Sequence, residues 1–523
     1  MRERLPDLGL AALALAFAWA CTSFVWQPTL ATFADDSVSY LVMAQVFSPY
    51  QAADPAVAAA FPREAFYPPL FPLVLALGGA AHDLAWAHGL TALLLAAALP
   101  VLYALGARWL DARGAALVAI ACVVLLPSPW INAKGILSEP LFALLLAAVY
   151  LALESPRGPL EGRLVLGLLM TGLALTRTAA LPMLAAYALW AGAQRAPSLG
   201  ARARAAAPAL AALAAFGLWT LLRPAQAEND YAHVLAEKGQ DWFDSASGLA
   251  AALWASVLRQ SDAMLEGWAG SLLLYWVEGQ PTRFALAALA GLVALAGLAL
   301  RLRRNRPDAW LTLAYLATLL AWPFHEQMER FLFPLVPLLV LYAFVAARAA
   351  AEAAGREAAL AHAVLAALFL ALSLPAIAFL HQRAKAGVAA AQITDWYRTP
   401  NLDRARSRAQ IHLDLFEDMK AIRALTKPGD RVMWVAPSYV ALLAGREGLR
   451  APEPRLSPEA YREAVRASGA DYVFLSRYHP RDTIRDTAWQ AGVRALEPQS
   501  QVVHTTTSGG GSLVTSLLLR VPK

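Results

Sequence analysis

Two adjacent carboxylates, Asp35 and Asp36, stand just past a hydrophobic span in the stretch Phe33-Ala34-Asp35-Asp36-Ser37-Val38-Ser39-Tyr40. On a helix, Asp36 and Tyr40 lie at i and i+4, which sets a carboxylate beside a phenol at the membrane surface. Such acids can accept a proton or hold a cation. The alternative is that they only cap a helix, where Asp is favoured and complements the positive dipole end. A second candidate is Glu139 in Ser138-Glu139-Pro140, at the head of a later apolar run. A glutamate at the edge of hydrocarbon points to function, although serine, acid and proline in that order also make a good helix start. The third is Arg330, within Phe324-His325-Glu326-Gln327-Met328-Glu329-Arg330-Phe331-Leu332-Phe333-Pro334. A guanidinium at the mouth of a helix can fork onto a phosphate at headgroup depth; snorkelling, or a salt bridge with Glu326, is the competing role. His325-Glu326-x-x-Glu329 lacks the second histidine of a zinc-protease helix, which argues against metalloprotease chemistry.

These residues must be positioned by membrane helices. Of 523 residues, 59% are hydrophobic and 16% charged, and the mean hydropathy is +0.46, beyond what a soluble core needs. A span of hydrocarbon takes about 20 apolar residues. Runs near 8–28, 85–107, 114–131, 138–154, 205–222, 284–300, 309–324, 331–348 and 358–380 satisfy or approach this. The stretch 164–190 is too long for one ordinary span and carries Arg177 near its middle, so it reads as two short helices turning at Thr176-Arg177-Thr178. The expectation is a polytopic α-helical membrane protein of about eleven transmembrane helices.

Arginine and lysine in the loops set orientation. Arg108, Arg113, Arg157, Arg163, Arg202, Arg204, Arg301, Arg303, Arg304 and Arg306 crowd the short loops on one side, which is then cytoplasmic, together with the N-terminus. The net charge of +6 is therefore topology signal and not a sign of nucleic-acid binding. Long outer loops at 27–84 and 223–283 follow, the second with Trp242, Trp254, Trp268 and Trp276 as membrane-interface anchors on amphipathic helices. In the first, Tyr67-Pro68-Pro69-Leu70-Phe71-Pro72 fixes an extended entry to a short, half-inserted run at 70–80. Cys21 and Cys122 sit inside predicted spans and lack metal-site spacing. The membrane part is placed at 1–380 and an outer domain at 381–523. That tail alternates strand-like runs at 431–435, 471–476, 501–506 and 513–520 with helical patterns at 414–425, 458–467 and 483–491, a small soluble α/β domain. Gly509-Gly510-Gly511 reads as a hairpin tip, since no helix follows it to make a phosphate loop.

The acidic pair with Asp36-x-x-x-Tyr40 spacing, Tyr67-Pro68-Pro69-Leu70-Phe71-Pro72, Ser138-Glu139-Pro140-Leu141-Phe142, Leu175-Thr176-Arg177 and Arg330-Phe331-Leu332-Phe333-Pro334-Leu335-Val336-Pro337 occur in this order. In this the chain resembles bacterial GT-C glycosyltransferases, the group that includes protein O-mannosyltransferases and the lipid A aminoarabinose transferase. Where the latter carry a lysine before Pro-Pro-Leu, this chain has Tyr67.

The resemblance implies transfer of a sugar from a polyprenyl-phosphate donor to an acceptor hydroxyl on a glycan, lipid or protein, with inversion, at the outer face of the bacterial inner membrane. Asp36 is the expected base and Asp35 the second choice; two neighbouring carboxylates in a partly dry site disfavour double ionisation. Arg330, with Arg177 and Lys134, would stabilise the departing phosphate. Glu139, Tyr40, Tyr67 and His325 complete the expected substrate-contacting set. Asp35, Asp36 and Glu139 could also hold magnesium or manganese. A lipid-linked-sugar flippase and a non-catalytic scaffold are the rival readings. The flippase would favour charge and broken helices at mid-bilayer, whereas here charge gathers at one surface. The loop charges predict that a reporter fused after Lys385 registers outside the cell membrane and one fused after Arg304 inside; the opposite pattern would overturn the orientation.

Overall fold

Helices that expose leucine and tryptophan as freely as they bury them dominate the chain. Leu15, Trp19, Leu168, Leu189, Leu221 and Val364 are all largely exposed, a surface that suits lipid and would drive a soluble protein to aggregate. The computed structural model describes residues 5–31, 36–155, 159–194, 198–224, 249–274, 281–322, 324–385, 401–477, 485–508 and 513–522. Among these, six helices are long and apolar enough to cross a membrane: Leu5–Val25, Leu84–Leu110, Leu199–Leu222, Pro281–Arg303, Met328–Ala353 and Ala358–Lys385. The other expected spans form shorter helices, Arg113–Val124, Glu139–Leu153, Pro159–Ala174, Ala180–Ala193 and Pro307–Leu320. This is a multi-pass membrane protein. The turn expected at Thr176-Arg177-Thr178 falls between Pro159–Ala174 and Ala180–Ala193, where the Thr176 hydroxyl donates to the Gly172 carbonyl at 2.7 Å and closes the first helix.

The chain folds as two compact units. One comprises Met1–Trp26, Pro68–Phe71 and His88–Ala386; the other comprises Gln27–Tyr67, Pro72–Ala87 and Gly387–Lys523. In the first, alanine and glycine let helices approach closely. A Cβ built on Gly297 would sit 1.8 Å from the carbonyl oxygen of Tyr342, so the helix Pro281–Arg303 can lie against Val336–Ala353 only with glycine there. The stretch Leu249–Leu273 departs from the expected interfacial helices. It is one continuous helix, and Trp268 is buried, donating from Nε1 to the Ala287 carbonyl at 2.8 Å. Trp254 remains exposed. Trp242 and Trp276 lie outside the described residues.

A polar network is buried in this same unit. Arg301 donates from Nε and Nη2 to the two oxygens of Asp308, each at 2.7 Å, and also pairs with Glu154. Its guanidinium carbon lies 4.1 Å from the Trp109 ring centroid. Tyr342 donates to Asp308 at 2.8 Å, Trp109 donates from its indole to Glu154 at 3.2 Å, and Tyr150 and Thr312 share a hydroxyl contact of 2.8 Å.

The second unit carries a five-stranded sheet. Its strands are β1 (Arg431–Trp434), β2 (Glu447–Arg450), β3 (Tyr472–Ser476), β4 (Gln501–Ser508) and β5 (Leu513–Arg520), in the order β2-β1-β3-β5-β4. The first three are parallel, and β5 runs antiparallel to both β3 and β4. Helices Leu402–Leu425, Pro458–Ser468 and Arg485–Leu496 accompany it. Every residue of β3 is buried, as expected of a central strand covered on both faces. Gly509-Gly510-Gly511 lies outside the described residues.

Candidate functional site

Proline and charge shape the segment that carries Arg330. Pro334 and Pro337 have no amide hydrogen to donate, and the chain there runs as a short helix, Met328–Leu332, a 3₁₀ turn, Phe333–Leu335, and the long helix Val336–Ala353. Gly267 and Gly270 let the helix Leu249–Leu273 press on Met328 and Glu329: a Cβ on Gly267 would meet the Glu329 amide nitrogen at 3.0 Å. The base of Arg330 is thus held by backbone contact. Its guanidinium donates from Nε to Glu139 Oε1.

Glu139 opens the helix Glu139–Leu153, with Ser138 at the preceding cap position. Ser138 makes no side-chain cap bond. Instead its hydroxyl accepts from Arg177 Nη1 at 2.9 Å, and the same nitrogen lies 2.8 Å from Glu139 Oε1. Arg177 reaches this place because its turn is pinned: the Leu70 amide donates to the Leu175 carbonyl at 2.8 Å, bringing the Pro-Pro-Leu element against the turn. Two guanidiniums therefore converge on one oxygen of a carboxylate that is 0% exposed. Glu139 Oε2 is also buried and has no hydrogen-bond partner among the described residues. The Phe331 ring lies 6.0 Å from the carbon of each guanidinium. Three of the expected residues, Arg330, Glu139 and Arg177, thus form one cluster. Two positive charges around Glu139 make it a poor ligand for a divalent cation, and among the described residues no three His, Cys, Asp or Glu side chains group as metal ligands.

Asp36 belongs to the other unit. It stands at the cap of the helix Ser37–Phe47 but makes no side-chain cap hydrogen bond. Its Oδ1 accepts from the Tyr67 hydroxyl at 2.6 Å, and the buried Tyr67 ring lies 5.0 Å from that of Tyr40. A carboxylate held by a phenol in an aromatic setting is oriented and sheltered, which suits proton transfer better than capping. Asp35 lies outside the described residues. Lys134 is buried in the turn after Pro127–Asn132, and His325 is exposed at the start of a 3₁₀ turn.

Glu64 was not singled out in the sequence. It is buried, accepting from Ser39 at 2.5 Å through Oε2 and from Ser438 through Oε1. Ser39 lies on the helix that Asp36 begins, whereas Ser438 belongs to the tail. Beside it, Arg63 donates to the Gly448 carbonyl at 3.0 Å; burial pulls its guanidinium below the usual value, which Glu64 and Glu447 partly offset. Only the abrupt Arg63-Glu64 pair in an alanine-rich stretch hints at this joint. A second cluster in the tail resembles a catalytic triad in composition but not in geometry. Asp418 and Thr506 both approach the same nitrogen of His504, at 3.3 and 3.1 Å, so no proton relay runs through the ring. Burial pushes the Asp418 carboxyl up, against the pull of hydrogen bonds from Thr506 and Ser516.

By sequence, no family model and no curated protein matches the chain. Solved structures do match in fold. ArnT from Cupriavidus metallidurans, bound to undecaprenyl phosphate, superposes with a TM-score of 0.54 at 13% identity over 98% of each chain. The archaeal oligosaccharyltransferase AglB from Archaeoglobus fulgidus, in complex with an inhibitory peptide and a dolichol-phosphate, gives a TM-score of 0.51 at 13% identity, covering 91% of this chain and 70% of AglB. Both are GT-C glycosyltransferases. This chain has the GT-C fold. The GT-C similarity extends over the bundle and the sheet-bearing tail alike, in agreement with the fold class expected from the sequence.

The Glu64 joint generates a prediction. Glu64→Ala leaves the buried Ser39 and Ser438 hydroxyls without their acceptor, each costing about 1–3 kcal/mol, while Glu64→Gln retains an acceptor for one. Thermal unfolding of the purified full chain in detergent should therefore rank wild type above Glu64→Gln above Glu64→Ala. An Ala variant that melts with the wild type would show that the joint contributes nothing.

Proposed function

We propose that this protein is a glycosyltransferase of the bacterial inner membrane that moves a sugar from a polyprenyl-phosphate-linked donor to an acceptor hydroxyl, with inversion, at the outer face. The observation that carries the reading is the convergence of Arg330 and Arg177 on the buried carboxylate of Glu139 at the head of membrane helices. Half-buried guanidiniums at the end of an apolar bundle fit an anionic headgroup whose tail stays in lipid. ArnT and AglB, which share the fold, are seen with lipid phosphates, and the same ligand class is assigned here to the arginine cluster.

In this reading the acceptor oxygen attacks the anomeric carbon from the face opposite the phosphate. The carbon–oxygen bond to phosphate breaks, its electron pair stays on the phosphate oxygen, and the acceptor's proton passes to a carboxylate. Asp36 takes that proton, held in orientation by the Tyr67 hydroxyl. Arg330 and Arg177 stabilise the charge that builds on the leaving phosphate, which fixed donors do best where water is excluded. Asp35 remains the second candidate for the base. Lys134, Tyr40 and His325 are assigned to substrate binding, and the 381–523 region to an outer domain.

Sugar transfer from a polyprenyl-phosphate donor in detergent, with melting temperatures alongside, tests this. Asp36→Asn keeps shape and should lower turnover by about 10²- to 10⁴-fold. Tyr67→Phe, which loses one hydrogen bond to a charged group, should lower it by about tenfold or more. If Asp36 were only a cap, Asn would serve nearly as well, so full transfer by Asp36→Asn would refute its role as base. Arg330→Lys keeps the charge but loses the fork, and should fall about 10²-fold or more, with Arg330→Ala lower still. Wild-type activity in both arginine variants would return Arg330 to snorkelling.

A further inference from the structure

The turn that carries Asp36 is tied to the tail by a buried acid. Glu64 ends the helix Pro55–Glu64 and is 8% exposed, with one hydroxyl on each carboxylate oxygen: Ser39 donates to Oε2 at 2.5 Å and Ser438 to Oε1. An apolar side chain would join the same elements without the cost of burying a charge, so stability alone does not call for an acid here. What a carboxylate adds is direction, since apolar contact is non-directional and a hydrogen bond is not. Each of the two bonds leads to a defined place. Ser39 stands in the first turn of the helix Ser37–Phe47, where the Tyr40 amide donates to the Asp36 carbonyl at 3.1 Å, and residues three apart on a helix are neighbours. Ser438 lies in the short helix Pro437–Tyr439, against which β2 is pressed so closely that a Cβ on Gly448 would meet the Pro437 carbonyl oxygen at 2.0 Å. Arg63 donates to the carbonyl of that same Gly448 at 3.0 Å, so two successive side chains at one helix end grip adjoining points of the tail. All of these residues belong to the second unit.

Resting on the reading of Asp36 as the base, we propose that Glu64 is a positioning residue for Asp36 and that the tail, through Ser438, helps to aim it. A base must stand within hydrogen-bond reach of the hydroxyl it deprotonates, and an error of about 1 Å in such placement costs about a hundredfold in rate. Asp36 makes no side-chain cap bond, so its own carboxylate does not fasten the helix start. The Ser39 bond to Glu64 fastens it instead, one turn along, and sets the rotation of that turn about the helix axis. The Ser438 bond refers the same carboxylate to the sheet-bearing tail. Tyr40, next to Ser39, carries the ring that packs on Tyr67, and Tyr67 holds the Asp36 carboxylate. Backbone and side chain of the base are thus oriented from one turn, and Glu64 fixes that turn. The tail is part of the catalytic apparatus and not an appendage to it.

Sugar transfer by the full chain in detergent, with kcat and KM separated and each variant assayed well below its own melting temperature, tests the proposal. Ser438→Ala removes one donor from Glu64 and leaves Asp36 and Tyr67 unaltered; Glu64→Gln keeps the shape but offers one acceptor oxygen to two hydroxyls. Each should lower kcat by about ten- to a hundredfold while the donor KM stays within about twofold, and Ser438→Thr, which keeps the hydroxyl, should restore kcat. In an Asp36→Asn background Ser438→Ala should slow the residual transfer no further, because the group it helps to aim is gone. A lower melting temperature with kcat unchanged in both variants marks a purely structural tie and overturns the proposal. A rise in KM alone, or a Ser438→Ala loss that multiplies with that of Asp36→Asn, overturns it as well. Should Glu64→Gln fold poorly, the Ser438 variants and the double variant decide. Full transfer by Asp36→Asn instead removes the reading of Asp36 as base, on which the proposal rests.

Discussion

A charge buried among apolar helices must be met by opposite charge and hydrogen bonds, or the helices do not assemble. One helix of this bundle, Glu139–Leu153, faces that requirement twice, since Glu139 begins it and Glu154 follows its last residue. Fifteen residues at about 1.5 Å each separate the two acids by about 22 Å. At the Glu154 end the requirement is met in full. Arg301 spans Asp308 and Glu154, Arg306 approaches Glu154 at 3.8 Å, and Tyr342 and Trp109 supply further donors. Two cations face two acids there. A network of this kind holds five helices in register.

The Glu139 end is built differently. Arg330 and Arg177 share one oxygen of Glu139, its other oxygen lacks a donor among the described residues, and Ser138 gives up the cap role to accept from Arg177. Both ends are built from the same residue types, arginine with acid and hydroxyl, so composition does not separate a structural network from a functional one. The helix runs from the Glu154 network to Glu139, so packing at one end helps fix the position of the carboxylate at the other.

Hydropathy and proline made much of this legible in advance. The split of 164–190 at Arg177 was readable because a lone arginine cannot sit in mid-span without a turn, and four of the five strands were readable from β-branched and aromatic runs. The short edge strand Glu447–Arg450 carries no such run and was missed. Arg301 counted as a loop charge in the orientation argument, yet its side chain is buried. The clue was the company it keeps, with Asp308 just after Pro307 and Glu154 at the end of an apolar run, three charges at the margins of spans. Glu64 and Ser438 stand 374 residues apart, and no periodicity links such a pair. Trp268 was read as an interface anchor because tryptophan usually is one; its indole instead found a carbonyl inside the bundle.

Asp36 shows how a departure from a local rule carries information. An aspartate at a helix start ordinarily accepts from the first-turn amides, a bond worth about 1 kcal/mol. Asp36 holds that position and makes no such bond, its Oδ1 being engaged by Tyr67. The helix it begins is buried through its first nine residues, so its stability comes from packing and from the Ser39–Glu64 joint and does not require the cap. The carboxylate is positioned by a phenol and a buried helix in place of a cap bond. Local preference and tertiary placement disagree at this residue, and such disagreements gather where a fold has been shaped for something other than stability.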